Sequence, residues 1–439
     1  MIGNRRISLL LPVIVLLFAL SVPAFAQDGI TLVVFGPSTW DTFAPGAGEE
    51  IVNQVTQELD AAFMAEHPEV TSIQHDARGT VADGLSRLMN AQLAGDQVDL
   101  IMCAANPVNT SYVSRGLLLP LDELVPVVQD RLIEGALEPF TLSDQVWGIP
   151  ISGVSTTNFF YNKTLFDELG LAAPTTYDEI LAAAAALDAA GVTPVLHQGK
   201  NPWMWPIWYM STLAETTENQ QLEKTISNLR GETSFTDAED VAAMALVRKF
   251  VDDGILDPAS LDLDEEGMRA AFISGQSGMY FGASWDFPIL RTNVTEFELG
   301  VFRFPDFVDY PGAPQTYGGV EVGLCLSNTV SEANRQAALD YIEFASRPEY
   351  VSLTLGPLDP IATSHVDVVA SDDPIAQQFR AEFLPTGKFL DWVWPRELSD
   401  TIQREIQRVV GGTATPEEAM QTIQDKFDEM VAQGYVYPF

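Results

Sequence analysis

Residues 146–180, VWGIPISGVSTTNFFYNKTLFDELGLAAPTTYDEI, contain a strand pattern and a helix start in one stretch. The run Thr156–Tyr161 is rich in β-branched and aromatic residues, follows Pro150, and predicts a buried strand. Thr176 and Glu179 have the spacing of a capping box, which predicts a helix that begins there. A strand followed by a helix is the repeating unit of an α/β domain.

The same alternation precedes this stretch. The predicted elements are, in order, strand Ile30–Phe35, a helix with apolar residues Ile51, Val55, Leu59 and Phe63, strand Thr71–Gln74, helix Val81–Leu93 and strand Asp99–Cys103. Strands that alternate with helices predict a parallel sheet with helices on both faces. Near the other end of the chain, Thr415 and Glu418 predict another capped helix, which carries a buried stripe of Ile423, Phe427 and Met430.

The amino terminus has the pattern of a secretory signal peptide. Arg5 and Arg6 precede an apolar run, Leu9–Leu20, and the small residues of Ala24-Phe25-Ala26 precede Gln27. The apolar run is shorter than the roughly 20 residues that a membrane-spanning helix needs. Because Gln27 rather than a cysteine follows the cleavage site, we expect a free periplasmic protein without a lipid anchor or stable membrane insertion.

The chain has 61 acidic and 23 basic residues, a formal net charge of −38. Such a charge repels phosphate backbones and argues against nucleic acid as a partner. Solubility in a saline habitat is the simplest explanation of the charge, while an acidic pocket for a cationic ligand stays open as an alternative.

Only two cysteines and four histidines occur. Cys103 and Cys325 each lie in an apolar run, so free buried thiols are the first expectation, and a disulfide forms if the two strands are neighbours. The histidines lack metal-ligand spacing, and the sequence predicts no metal and no cofactor.

Several segments in a fixed order resemble family 1 extracellular solute-binding proteins of ABC transporters, the maltose-binding-protein type. They are residues 94–101 (AGDQVDLI), 116–122 (GLLLPLD), 146–150 (VWGIP), 160–166 (FYNKTLF), 174–180 (PTTYDEI), 271–285 (AFISGQSGMYFGASW) and 338–344 (ALDYIEF). Ser277 stands where the family usually has lysine or arginine, and Trp147 where it usually has tyrosine. These departures leave the identity of the sugar open.

The resemblance implies an α/β periplasmic-binding-protein type II fold with two lobes, two mostly parallel sheets, flanking helices and a three-strand hinge. The implied division is residues 1–26 as signal peptide, 27–150 and 321–353 as the N-terminal lobe, and 151–320 and 354–439 as the C-terminal lobe. The strand crossings are expected near residues 150–152, near 319–323 and shortly after Tyr350. The implied function is that of a monomer that binds a carbohydrate between the lobes and delivers it to a membrane permease driven by a cytoplasmic ATPase.

The aromatic residues also point to a sugar, because a pyranose stacks its C–H faces on an indole and offers its hydroxyls to fixed polar groups. The candidate stacking residues in predicted loops are Trp40, Trp203, Trp205, Trp285, Trp392 and Trp394. The candidate hydroxyl partners are Asp41, Asn106, Asp286 and Asp391. Trp203 and Trp285 lie at positions that stack sugar in the family, whereas Trp147, Trp208, Tyr161 and Asn162 are expected to be structural.

Enzyme motifs are absent from the sequence: it has no GxSxG, GxxxxGK[ST] or HExxH. Asp262, Asp264 and Glu266 resemble the start of a calcium loop, but Ile273 occupies the position of the bidentate glutamate, so we expect an ordinary helix start. Two alternatives stay open. One is a protein of the same fold that binds a polyamine or another cation, and the other is a secreted glycosidase.

Overall fold

The computed structural model of the chain describes residues 29–36, 49–77, 81–104, 112–307, 316–320, 322–355, 361–384, 387–388 and 393–437. The strands are β1 Ile30–Gly36, β2 Val70–Ala77, β3 Leu100–Ala104, β4 Leu118–Leu119, β5 Thr141–Leu142, β6 Gln145–Val146, β7 Ile149–Pro150, β8 Val154–Asn162, β9 Thr193–His197, β10 Ser277–Ala283, β11 Leu299–Phe302, β12 Thr316–Val320, β13 Val322–Ser327 and β14 Gly387–Lys388.

The α-helices of the described residues alternate with these strands. They are α1 Glu49–Glu66, α2 Val81–Ala94, α3 Val125–Val128, α4 Lys163–Leu169, α5 Tyr177–Ala189, α6 Trp205–Thr216, α7 Gln221–Leu229, α8 Ala238–Asp252, α9 Glu265–Ile273, α10 Phe287–Asn293, α11 Glu332–Ala345, α12 Pro348–Leu355, α13 Pro374–Gln378, α14 Arg396–Val410 and α15 Pro416–Ala432. None of these helices combines the length and the apolar character that crossing a bilayer requires.

One sheet forms the centre of the first lobe. Its strand order is β2-β1-β3-β13-β4, and β7 also pairs with β13. Strands β1, β2 and β3 are parallel, as the early βαβ pattern predicts. Helix α11 packs on β1 and helix α12 packs on α1, so the segment after β13 belongs to the same core.

A second sheet forms the centre of the second lobe, with strand order β14-β12-β8-β10-β9 and β11 paired to β8. Strand β8 is buried on both faces: Phe159 and Tyr161 lie in one apolar cluster, and Phe160 lies in another on the opposite face. Burying an aromatic side chain of this size contributes roughly 1.5–3 kcal/mol to the free energy of folding, so β8 is a main source of stability for the lobe.

Both sheets are mostly parallel, as expected, because among the described strands a single one in each sheet, β13 or β8, runs against the other five. Strand β13 runs antiparallel to β3, β4 and β7, and β8 runs antiparallel to β10, β11 and β12. Both β8 and β13 begin where the chain arrives from the other lobe. They therefore start at the edge of the sheet where β3 and β10 end, and they must run in the opposite direction.

Two passages between the lobes lie near expected strand crossings, one between Pro150 and Val154 and the other between Val320 and Val322. The third crossing, expected shortly after Tyr350, lies outside the described residues. Ser364 bonds beside the first passage: its N–H donates to the Ser152 carbonyl and its carbonyl accepts from the Ile133 N–H, each at 3.0 Å.

The predicted helix caps are confirmed. Thr176 and Glu179 form a reciprocal capping box at α5, and Thr415 and Glu418 form another at α15. Asp264 is the N-cap of α9, where its Oδ1 accepts from Gly267 N–H at 3.0 Å, so the calcium-like pattern is a helix start as expected.

The expectation of free thiols is wrong. Cys103 on β3 and Cys325 on β13 form a disulfide with a Cα–Cα distance of 6.1 Å, and both residues are fully buried. The two strands are neighbours in the first sheet, which is the condition under which the sequence allowed a bridge.

Candidate functional site

Two tryptophans lie at one edge of the second sheet. Strands β9 and β10 are parallel, so their carboxyl ends meet at the same edge, and each is followed by a short 3₁₀ turn, Pro202–Met204 and Ser284–Asp286. Trp203 and Trp285 lie in these turns with their ring centroids 5.8 Å apart and their planes inclined by 47°. Trp203 is 44% exposed and Trp285 is half-buried, so the pair presents indole surface to solvent. We call this pair the aromatic platform.

The turn that carries Trp203 is fixed from behind. The indole N–H of Trp205 donates to the Gly199 carbonyl at 2.8 Å, and the Gln407 amide of α14 donates to the same oxygen at 2.9 Å. A Cβ on Gly199 would lie 2.6 Å from the Ser260 carbonyl, so only glycine fits this close approach. The packing holds Trp203 in place while leaving its outer face free.

The turn that carries Trp285 is fixed by hydrogen bonds to its neighbours. Asp286 Oδ2 accepts from Ala283 N–H at 3.0 Å, and Ser284 Oγ accepts from Thr156 N–H of β8 at 3.0 Å. Asp286 is fully buried, and its Oδ1 accepts from Arg269 Nε at 2.8 Å. The carboxylate is thus held inside the lobe beneath the platform.

Polar groups lie on the same loop as Trp203. Lys200 and Asp264 form an exposed ion pair of 3.1 Å, and the Asn201 amide donates to Gln198 Oε1 at 2.5 Å. The Gly267 N–H bond and, after it, Lys200 lower the pKa of Asp264 below its usual value. Lys200 and Asn201 are therefore candidate donors for a ligand that stacks on Trp203, because they lie three and two residues before it in the same loop.

A fully buried histidine lies behind the platform. The ring of His197, the last residue of β9, contacts Trp205 and Trp208 edge-on at centroid distances of 4.7 and 5.5 Å. Burial lowers its pKa to about 3, so the imidazole is neutral in neutral solution. His197 acts as an uncharged part of the core.

The structure brings only some of the predicted site residues together. Trp203 and Trp285 form the platform, while Trp40, Asp41, Asn106, Asp391 and Trp392 lie outside the described residues. Trp205 and Trp394 are buried, with exposures of 0% and 3%, and Trp394 packs on Tyr209 at 6.2 Å. A buried indole presents no face to a ligand in this conformation, so neither Trp205 nor Trp394 belongs to the platform. Asp286 likewise does not have its predicted role as a hydroxyl partner, because its carboxylate is buried and already bonded to Ala283 and Arg269.

The residues expected to be structural are in structural positions. Trp208 is fully buried, and the Trp147 indole N–H donates to the Leu142 carbonyl at 3.1 Å. Tyr161 packs in the core, and Asn162 caps α4 by accepting from Leu165 N–H.

Sequence reasoning missed Arg269, Lys200 and Asn201. Arg269 precedes the segment that resembles the family, and its partner Asp286 lies on a different element, so no local pattern reveals the pair. Lys200 and Asn201 carried a usable signal, because they directly precede Pro202 and Trp203 in a predicted loop. Within the described ranges, no group of three or more histidine, cysteine, aspartate or glutamate side chains is placed to hold a metal ion.

Comparison with known proteins gives the class. A profile of the bacterial extracellular solute-binding proteins matches residues 46–352, more than half of the chain. The chain therefore belongs to this family, and the resemblance seen in the sequence is confirmed.

Individual relatives agree with this assignment. A binding protein of Brucella abortus (strain 2308) is 26% identical over 290 residues, which cover 65% of this chain and 67% of that protein. The multiple sugar-binding protein of Streptococcus mutans serotype c is 23% identical over 210 residues, 47% of this chain and 48% of that protein. The solved structure of a chitin oligosaccharide binding protein, 23% identical, covers 92% of this chain and 100% of that chain with a TM-score of 0.78. The two-lobed α/β fold implied by the resemblance is thereby confirmed.

Proposed function

We propose that this protein binds a mono- or oligosaccharide between its lobes and delivers it, chemically unchanged, to the permease of an ABC importer. The observation that carries the proposal is the aromatic platform, two indoles held at the edge of the second sheet where β8 begins and β10 ends. Inclined, partly exposed indoles provide a rigid apolar surface for the C–H face of a sugar ring, and their few rotatable bonds limit the entropic cost of binding.

The charges around the platform favour a neutral ligand over a cation. Among the described residues beside the two turns, Asp286 is paired with Arg269 and Asp264 with Lys200. A cation would have to break one of these pairs to reach the carboxylate of Asp264 or Asp286. A sugar hydroxyl instead accepts from Lys200 or Asn201 without disturbing the buried pair.

The relatives support the same ligand class. One is named as a multiple sugar-binding protein, and the solved structure with the TM-score of 0.78 is that of a chitin oligosaccharide binding protein. The protein would work in the periplasm as a monomer, after cleavage of the signal peptide. The permease and its ATPase would supply the energy and would recognise the closed, loaded form.

A thermal-shift screen against mono- and oligosaccharides tests the ligand class. A sugar at 100 times its Kd stabilises the protein by about 2.7 kcal/mol, which is a readily measured shift. Calorimetry with the best sugar at low and high salt separates a neutral ligand from a cation, because the affinity for a cation falls as salt screens the attraction. Chromatography of the sugar after incubation should show no product, since hydrolysis would favour the glycosidase alternative.

Reconstitution tests the transport role. ATP hydrolysis by the permease and ATPase in liposomes should rise when this protein and its sugar are added together. Equal ATP hydrolysis without the protein would rule out its role as the delivering subunit.

A further inference from the structure

Asp286 connects the platform to a charged group inside the second lobe. It is the residue next to Trp285, it is fully buried, and its two oxygens have different partners. Oδ2 caps the turn at Ala283 N–H, whereas Oδ1 accepts from both Nε and Nη2 of Arg269, at 2.8 and 2.5 Å. A buried carboxylate is stable only when it is paired and hydrogen-bonded, so the geometry of this turn depends on the guanidinium.

Gly282 makes room for this arrangement. A Cβ at Gly282 would lie 2.4 Å from Asp286 Oδ2 and 2.8 Å from the ring of Tyr280. The carboxylate therefore lies directly against the backbone of β10. Contacts this close leave the turn, and with it the Trp285 side chain, few other positions.

Arg269 is also bound by a second carboxylate. Glu265, one helical turn earlier on α9, forms an ion pair with the same Nη2 that binds Asp286. The charged and titratable groups facing Glu265 are Arg269, Asp286 and the neighbouring Glu266, while Tyr280 adjoins Arg269 and Asp286 and stays uncharged because burial raises its pKa. One guanidinium is thus shared by two acids.

We propose that Arg269 is a positioning residue for the aromatic platform. Arg269 holds the Trp285 turn through Asp286, and Glu265 competes with Asp286 for the guanidinium. The role of this arrangement in sugar binding rests on the proposed function. The coupling of Arg269 to Trp285 stands on the geometry of the ligand-free protein.

The competition gives the platform a pH dependence. Burial, and after it the charge of Asp286, raises the pKa of Glu265 to about 7. Below that pH, Glu265 is protonated and Arg269 forms an ion pair with Asp286 alone, so the Trp285 turn is held more firmly. Above it, Glu265 is charged and draws the guanidinium away from Asp286.

The test is ¹⁹F NMR of the 5-fluorotryptophan-labelled, ligand-free protein, with the Trp285 resonance assigned by Trp285→Phe. In Arg269→Gln we expect this resonance to shift by more than its linewidth and to broaden, while the resonances of distant tryptophans stay in place. Arg269→Lys should restore it in part, since lysine keeps the charge but not the two-donor contact. In the natural protein the resonance should titrate near pH 7, and Glu265→Gln should abolish that titration.

Arg248→Gln is the matched control. Arg248 lies on α8 in the same lobe, pairs with Asp252 and donates to two backbone carbonyls of α14, at 3.0 Å each. A Trp285 resonance that is unmoved in folded Arg269→Gln, or that moves equally in Arg248→Gln, would overturn the proposal. If Arg269→Gln does not fold, Arg269→Lys decides, and an unmoved resonance in that variant counts equally against the proposal. Because no sugar is used, failure of the carbohydrate function would leave this result intact.

Discussion

The indole rings of Trp203 and Trp285 lie 5.8 Å apart although they follow different strands of the second sheet. They meet because β9 and β10 are parallel neighbours, and each turn is fixed by its own contacts, the Trp203 turn at the Gly199 carbonyl and the Trp285 turn at Asp286. Both turns of the aromatic platform are therefore held by contacts within the lobe that need no ligand.

Removal of one indole should weaken sugar binding. In Trp285→Leu, loss of the stacking surface should raise the Kd of the sugar found in the thermal-shift screen by roughly ten- to a hundredfold, or about 1.4–2.7 kcal/mol. Calorimetry measures the change. Trp147→Leu is the control, because Trp147 is bonded to the Leu142 carbonyl in the first lobe, and it should leave the Kd unchanged. Equal affinities for Trp285→Leu and the natural protein would remove Trp285 from the site.

Loss of the disulfide should destabilise the first lobe. Cys103 and Cys325 are separated by 222 positions in the sequence, so the bridge closes a long loop in the unfolded chain. The double variant Cys103→Ser/Cys325→Ser should lose about 2–5 kcal/mol of unfolding free energy. Denaturant titration with and without reductant measures this loss. Both cysteines are fully buried, so reductant should act on the natural protein only after unfolding, and rapid reduction of the native state would contradict the structure.

Acid should destabilise the protein through two buried histidines. Burial lowers the pKa of His197 to about 3 and that of His365 to about 4, whereas an unfolded histidine has a pKa of about 6.5. The unfolded state therefore binds more protons below pH 6.5, and stability falls as the pH drops from there toward each folded pKa. Each histidine contributes a slope of up to about 1.4 kcal/mol per pH unit.

His197→Gln should reduce this slope between pH 6 and pH 5, as measured by denaturant titration at each pH. Val195→Ala is the control, since Val195 lies two residues earlier on β9 in the same core and carries no titratable group. The control should lose stability equally at every pH. An unchanged slope in His197→Gln would show that the buried imidazole does not stay neutral.

Ligand binding should close the lobes. The two sheets are joined through short passages such as Pro150 to Val154, and Ser364 fixes the segment beside them by accepting from Ile133 and donating to Ser152. We expect a rotation about these passages to bring the platform toward the first lobe. Small-angle scattering should show a smaller radius of gyration when the sugar is added, and Trp285→Leu at the same sugar concentration should compact less. Saturation without compaction would contradict hinge closure.

The sequence by itself determined the alternation of strands and helices, the helix caps and the family. Thr176 with Glu179 and Thr415 with Glu418 are local patterns, and their capping boxes form because both partners are three residues apart. Trp203 and Trp285 could be named as candidates because they lie in predicted loops and at positions that stack sugar in the family that the sequence resembles.

Only the tertiary structure decided which of the remaining candidates reach the surface and which charges meet. Trp205 and Trp203 are separated by a single residue in sequence, yet one indole is fully buried and the other is 44% exposed, because the direction of each side chain depends on how the turn packs against α14. The Arg269–Asp286 pair and the Cys103–Cys325 bridge join elements that are distant in the chain. Such pairs depend on strand order and direction. These are set by the apolar surface that the elements of both lobes bury together, and no local spacing in the sequence encodes them.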